Sequence, residues 1–193
     1  MDKGYSRFFQ RNPMPEQEAR KLFAHMQLVR FSKGDYVIRQ GDSNSNLYVI
    51  DRGIWSGFEK RSDSQDVTLW FAFSGEPVFN VWSYVLSELS PIDVISETDS
   101  TAWVIGKSDL DKLIHENMDI LDCFLKIILG QLAHYENRLL QMSKPANASE
   151  RYLWLAEWHP ELLQEVPLSR IASFLGVTVQ SLSRIRRNIF LKK

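Results

Sequence analysis

Thr178, Gln180, Ser181, Arg184 and Arg187 lie within ten residues of one another near the C-terminus, interleaved with the apolar Leu182, Ile185 and Ile189. On a helix the apolar members gather on one side and the polar ones point outward. Hydroxyl, amide and guanidinium groups are the types that reach base edges and phosphates in a DNA groove. The planar fork of Arg184 can take the O6 and N7 of a guanine together, which lysine copies poorly. Arg186, Lys192 and Lys193 add attraction for phosphate. The chemistry that these residues point to is recognition of double-stranded DNA.

Such residues read sequence only if a compact element holds them. Leu168 to Arg187 supplies one: two short helices that touch through Ile171, Ala172 and Leu175 on the first and Val177, Leu182 and Ile185 on the second. Gly176 lies between them, where a tight reversal needs a positive φ. Ala172 is small enough to let the second helix cross close over the first. This pattern predicts a helix-turn-helix. An ordinary helical hairpin is the alternative, but three arginines on its solvent side with no acid to pair them would be unusual there.

The chain has 193 residues and a net charge of −1, which hides an asymmetry. From Val166 onward the charged residues are Arg170, Arg184, Arg186, Arg187, Lys192 and Lys193, with no Asp or Glu, so the rest is correspondingly acidic. An acidic body with a basic end steers one surface toward phosphate. The one cysteine, Cys123, lies in an apolar helical run and reads as a small buried hydrophobe; it leaves no disulfide framework, zinc cluster or iron–sulfur site. His25, His115, His134 and His159 are scattered, with no motif for haem or metal. No cofactor is expected. The N-terminus lacks an apolar signal core and no run is long enough to span a bilayer, so a cytoplasmic protein without membrane partners is expected. Asn147-Ala148-Ser149 is then not read as a glycosylation site.

The period of the apolar residues divides the chain. Pro15 to His25 reads as a short helix. From Gln27 to Ile105 the period is two, with strands expected at 28–31, 36–39, 47–50, 54–60, 67–73, 94–97 and 101–105, broken by turn residues such as Gly34, Gly41, Gly53 and Ser62-Asp63-Ser64. Many short strands at such spacing indicate a sandwich, jelly roll or small barrel. Ser108 is expected to cap a following helix. A long helix, 118–142, carries Leu121, Leu125, Ile128, Leu132, Tyr135, Leu139 and Met142 at steps of four and three. That is the seam of a coiled coil, and it predicts a parallel homodimer, while Phe124 and Ile127 pack on the β domain. Pro145 marks a hinge, Asn147 with Glu150 a capping box, and His159-Pro160 the end of one helix and the start of the next.

Phe31-Ser-Lys-Gly34-Asp-Tyr-Val-Ile38-Arg-Gln-Gly41-Asp42, followed by Leu47-Tyr48-Val49-Ile50 and Gly53, resembles the start of a cyclic-nucleotide-binding-type β-roll. With the long helix and the helix-turn-helix in this order, the chain from about Phe8 onward resembles a Crp/Fnr-family transcriptional regulator. The resemblance implies an α+β fold: a β-roll (jelly-roll) sensor over 1–107, a dimerisation helix region over 108–143 and a DNA-binding domain over 144–193. It implies a bacterial homodimer on a palindromic operator, with RNA polymerase a further candidate partner. It makes Val179, Gln180 and Arg184 base-facing, with Ser181 and Thr178 as phosphate or mixed contacts.

The sensor departs from the family. Cyclic-nucleotide binders of this type carry Gly-Glu and then Arg-Ser or Arg-Thr before the next strand, the arginine pairing the cyclic phosphate. Counting back from the strand 93–97 puts Phe79 and Asn80 at the first pair and Ser90 and Pro91 at the second. No Arg or Lys occurs between Arg61 and Lys107, so a cyclic phosphate would meet no local cation. The expectation is a degenerate sensor that does not bind cyclic nucleotide. A small apolar ligand near Trp70, Phe71, Phe79, Asn80, Trp82 and Trp103 is an alternative, plain core for these aromatics being the other reading. A same-fold regulator that answers cyclic nucleotide through another cassette, and a module that dimerises without binding DNA, are further readings. Catalysis is not expected: there are no His, Cys and carboxylate clusters at ligand spacing, no Gly-rich phosphate loop and no nucleophile elbow.

Overall fold

In the computed structural model, residues 3–12, 14–61, 66–143 and 148–190 are described. Eight strands run β1 (Gln27–Phe31), β2 (Tyr36–Ile38), β3 (Leu47–Arg52), β4 (Ile54–Glu59), β5 (Val67–Phe73), β6 (Pro77–Phe79), β7 (Asp93–Ser96) and β8 (Ser100–Ile105). They form two antiparallel four-stranded sheets, ordered β1-β8-β3-β6 and β2-β7-β4-β5. Helices α1 (Lys3–Arg11) and α2 (Glu16–Ala24) precede them. After them come α3 (Lys107–Glu116), α4 (Met118–Ser143), α5 (Ala148–Trp158), α6 (Pro160–Glu165), α7 (Leu168–Leu175) and α8 (Val179–Phe190).

Alternation along the strands separates three cores, because successive side chains leave opposite faces of a sheet. Tyr48 and Ile50 of β3 and Ala102 of β8 point between the sheets, joined by Trp55, Ala72, Val78 and Val94. Leu47, Val49 and Ile105, one position out of phase, lie under α1 to α4 with Phe8, Phe23, Leu110, Ile120 and Phe124. On the outer face of the other sheet, Ile54, Phe71 and Phe73 pack against Tyr152, Leu155, Leu162, Ile171 and Leu182. The C-terminal helices are therefore a fourth layer seated on the roll. Burying one such side chain fully stabilises by about 1.5–3 kcal/mol, so each interface is substantial.

The interior of the roll is aromatic. Trp55 is fully buried, its Nε1 donates to Ser100 Oγ at 2.8 Å, and Phe31 and Tyr48 pack edge-on to it at 5.2 and 5.6 Å. Trp70 lies on Gly57 so closely that a Cβ there would sit 2.2 Å from its Cε2. Only glycine leaves that room.

The expected strands are all present to within a residue or two, and α2, α4 and α5 fall where the periodicity puts them. Three elements were not anticipated: α1, the edge strand β6, and a π-helical turn at Trp82–Leu86. β6 is three residues long and begins with proline, which an edge strand tolerates and a pattern of alternation does not reveal. The expected cap at Ser108 is corrected. α3 starts two residues earlier than a cap at Ser108 implies, and the extended Gly106 accepts the first helical bond from Leu110 N at 3.0 Å, leaving Ser108 inside the first turn. The turn at Ser62-Asp63-Ser64, the hinge at Pro145 and the capping residue Asn147 lie outside the described residues.

α4 has two unlike faces. Ile120, Cys123, Phe124 and Ile127 are buried on the roll, and burial pushes the Cys123 thiol up to about 11. Leu125, Leu132, Tyr135 and Leu139 of the expected seam are exposed, Tyr135 by 62%. Leu121 is half-buried, and Ile128 packs partly on the helical core. The side chain of Met142 lies outside those described. Leu129 and Leu140 widen the exposed face beyond the seam.

Candidate nucleic-acid interface

α7 and α8 meet as the sequence requires. Gly176 takes φ +68°, its N–H donates to Ser173 O, and Val177 N donates to Ala172 O at 3.0 Å, which ends α7 and reverses the chain. Ile171, Ala172, Leu175 and Leu182 are buried together, with Val177 and Ile185 packed beside them. Thr178 stands just before α8, and its Oγ1 accepts from Ser181 N at 3.1 Å. This satisfies a backbone donor that the helix start would leave open. Thr178 Oγ1 also donates to Ser181 Oγ at 3.0 Å, and Arg184 Nη2 donates to the same oxygen at 3.4 Å.

The outward face of α8 carries Gln180, Arg184 and Arg187, all exposed, with Ser181 and Arg186 half-buried beside them. Among the described residues, no carboxylate forms an ion pair with Arg184, Arg186 or Arg187. Lys192 and Lys193 lie outside the described residues. Val179, expected to face bases, is instead partly covered by the motif's own core, where its isopropyl group leaves water.

Arg170 departs from its expected place on the basic surface. It turns from α7 toward the roll, 3.3 Å from Asp66 and 3.6 Å from Glu97, with its guanidinium 3.7 Å over the Phe58 ring. Charge that the sequence assigns to the phosphate-facing side is spent inside the molecule.

The segment between β6 and β7 is closed by its own polar groups. Asn80 Nδ2 donates to Ser83 Oγ at 2.7 Å, and Ser83 Oγ donates to Glu88 O at 2.9 Å. Ser90 Oγ donates to Ile92 O, Ser90 N donates to Asp42 O, and Gly41 N donates to Ser90 O. Asn80, Ser83 and Ser90 are all buried. Tyr84, in the π-helical turn, donates to Asp111 Oδ1 at 2.6 Å, and Lys107 pairs the other oxygen at 2.9 Å while lying over the Tyr84 ring. Burial, then the bond to Asp111 and its charge, raise the Tyr84 hydroxyl well above its ordinary range. For Asp111, burial pushes upward, but the bonds from Tyr84 and Lys107 and the charges of Lys107 and His115 outweigh it and hold the carboxyl low.

Residues 28–117 match the family model described as the cyclic nucleotide-binding domain. The cAMP-dependent protein kinase regulatory subunit of Dictyostelium discoideum is 25% identical over 101 residues, covering 52% of this chain and 31% of that protein. This chain spans less than a third of the length of the curated relatives it matches. Solved structures extend the likeness through the C-terminal helices. FixK2 from Bradyrhizobium japonicum superposes with a TM-score of 0.72 at 15% identity, over 86% of this chain and 85% of that one. The c-di-GMP responsive global regulator CLP of Xanthomonas campestris gives 0.73 at 17%, over 92% and 93%. The fold is that of the Crp/Fnr regulators.

Within the Crp/Fnr fold, the expected cassette positions Phe79, Asn80, Ser90 and Pro91 fall at the end of β6 and before β7. The polar ones are those already saturated by Ser83, Ile92, Gly41 and Asp42. The six residues considered for an apolar ligand do not converge. Trp70 fills the roll, Phe71 packs on Phe174 of α7 at 5.1 Å, and Phe79 lies against Tyr84 and Phe124. Trp103 packs on Phe23 under the helices, Asn80 is tied to Ser83, and Trp82 is 42% exposed. Alternation along β5 sends Trp70 and Phe71 to opposite faces of the sheet, and Trp103 of β8 lies on the helical side, which is why spacing in sequence did not become proximity. Among the described residues no three His, Cys, Asp or Glu side chains are placed to hold a metal, and no helix is long and apolar enough to cross a membrane. The sequence reading also missed Glu97, Asp66 and Ser173, which join the roll to α7. The one signal was an arginine in the first helix of the motif without a local acid.

Proposed function

We propose that this protein is a homodimeric transcription regulator of the Crp/Fnr type that binds a palindromic DNA operator and does not sense cyclic nucleotide. The outward face of α8 carries this reading: Gln180, Arg184 and Arg187 stand exposed on a helix whose other side is buried, with no described carboxylate to neutralise them. Thr178 and Ser181 fix the start of that helix and the base of Arg184, with Arg186, Lys192 and Lys193 contributing charge. The exposed seam of α4 supports dimerisation, since a row of half-exposed leucines on one helix is an association surface. A dimer sets two half-sites about one helical turn apart.

The absence of a cyclic-nucleotide response is supported by chemistry rather than space. The nearest following cation, Lys107, is committed to Asp111, and the polar groups at the cassette positions already bond one another. An anion entering there would lose water without gaining a partner. A same-fold regulator answering some other small molecule is the second reading, favoured by the c-di-GMP responsiveness of CLP. The fold neighbours and the residues at hand give no support to catalysis.

Selection of bound fragments from genomic DNA with the full protein tests the reading and yields the half-site. Affinity for the selected site should fall with salt at a log–log slope of about −0.9 per phosphate contact. A slope near zero, or no enriched DNA, would overturn it. Millimolar cyclic AMP or cyclic GMP should leave the melting temperature unchanged, because ligand at one hundred times its dissociation constant adds about 2.7 kcal/mol of stability and would show plainly.

A further inference from the structure

The C-terminal domain is seated on the roll by contacts that exploit an open strand edge. β5 is the outermost strand of its sheet, so one side of its backbone has no neighbouring strand. Ser173 of α7 fills that place: its Oγ accepts from Thr68 N at 2.9 Å and donates to Asp66 O at 2.7 Å. One hydroxyl satisfies a donor and an acceptor that an edge strand leaves free. One turn earlier on the same helix, Arg170 stacks on Phe58 and reaches Asp66 and Glu97. The Glu97 side chain is only 4% exposed and also accepts from Ser56 Oγ at 2.5 Å. Elsewhere Phe174 packs on Phe71, His159 stacks on Phe73 at 4.0 Å, and Lys33 Nζ donates to Glu165 O. These contacts are spread over several elements, and points that do not share one axis fix orientation as well as position.

We propose that the α7–β5 contact fixes the spacing at which the two recognition helices of the dimer engage their half-sites, making Arg170 and Ser173 positioning residues for operator choice. This rests on the DNA-binding reading above. α8 is packed on α7 through Leu182, Ile171 and Ala172, so whatever holds α7 holds the recognition face. Inserting one base pair between half-sites moves them apart by about 3.4 Å and rotates one by about 35°, from a repeat of about 10–10.5 base pairs per turn. A domain docked on the roll cannot follow that change. A domain held by chain connection alone can swing after it. The docking is preorganisation: it sharpens the choice of spacer without touching a base.

The test uses the full chain and palindromic oligonucleotides built from the half-site recovered by selection, with the best spacer and spacers one base pair shorter and longer. The wild type should prefer its best spacer by about tenfold, the loss expected for one mismatched feature of a site. Ser173→Ala and Arg170→Gln should each cut that preference to about two- to threefold, with base preference within the half-site and the salt slope unchanged. A role confined to stability would weaken all spacers alike. Hydrogen exchange at the Thr68 amide reports whether the contact has opened, and Ser173→Ala keeps the test available if Arg170→Gln does not fold. Unchanged spacer preference in a variant whose Thr68 amide is deprotected, or a wild type indifferent to spacer, overturns the proposal while leaving DNA binding intact. Failure of the wild type to enrich any DNA instead overturns the DNA-binding reading and takes this one with it.

Discussion

α7 and α8 are built from nearly the same materials and put them to opposite uses. Each is a short helix with serines and arginine on one side and an apolar stripe on the other. Both stripes enter a single core through Ile171, Ala172, Leu175 and Leu182. On α7 the polar side meets the roll, where Asp66 and Glu97 take Arg170 and the β5 edge takes Ser173. On α8 the polar side meets water, and among the described residues Arg184 bonds within its own helix, to Ser181. The residue type does not decide the role of an arginine here; a facing carboxylate does. A guanidinium beside a buried acid is structural, and one held at the surface without an acid is available to an anionic partner.

The largest expected effect tests the inward side. Arg170→Ala should cost about 3 kcal/mol of stability, because it leaves Glu97 buried without its charge partner. Denaturant titration measures this, and a loss within half a kcal/mol would place Arg170 with the surface arginines. Arg184→Ala should behave in the opposite way, costing roughly 1–3 kcal/mol on the operator, relaxing preference at one base pair of each half-site and leaving the melting temperature unchanged. Binding-site selection with the variant decides it: an unchanged preference at every position would reduce Arg184 to a phosphate contact.

Thr178→Ala should cost about 1 kcal/mol of stability through loss of the cap on Ser181 N, with a comparable fall in operator affinity because the same hydroxyl steadies the base of Arg184. If affinity falls far more than stability, Thr178 touches DNA directly. The smallest effect is expected at Arg187→Ala, which should weaken binding to all sequences alike and flatten the salt slope by about 1. A sequence-selective loss there would move the reading surface one turn along α8.

Much of this organisation was legible from residue pattern. Gly176 between two apolar clusters marked the helix-turn-helix, and its φ of +68° is the conformation that a turn there demands. Alternation of apolar and polar residues marked seven of the eight strands. β6 escaped because three residues led by proline carry no period, and the π-helical turn because Trp82, Val85 and Leu86 expose apolar surface that a helical pattern would bury. Of the two readings of the aromatics around Trp70 and Trp103, plain core and an apolar ligand site, their packing into separate cores accords with the first.

The periods of two and of about 3.6, the turn glycines and the acid-free C-terminal segment are local properties, so a single chain read in order was enough to give the roll, the long helix and the basic helix α8. Which face of α4 lies on the roll, where Arg170 points, and which partners Asn80, Ser90 and Lys107 take are decided between residues far apart in sequence. Arg170 and Glu97 are separated by most of the C-terminal half of the chain, and Ser173 meets β5 across more than one hundred residues. Electrostatic pairing and edge capping depend on distance in space, and only the stacking of four layers brings those groups within reach.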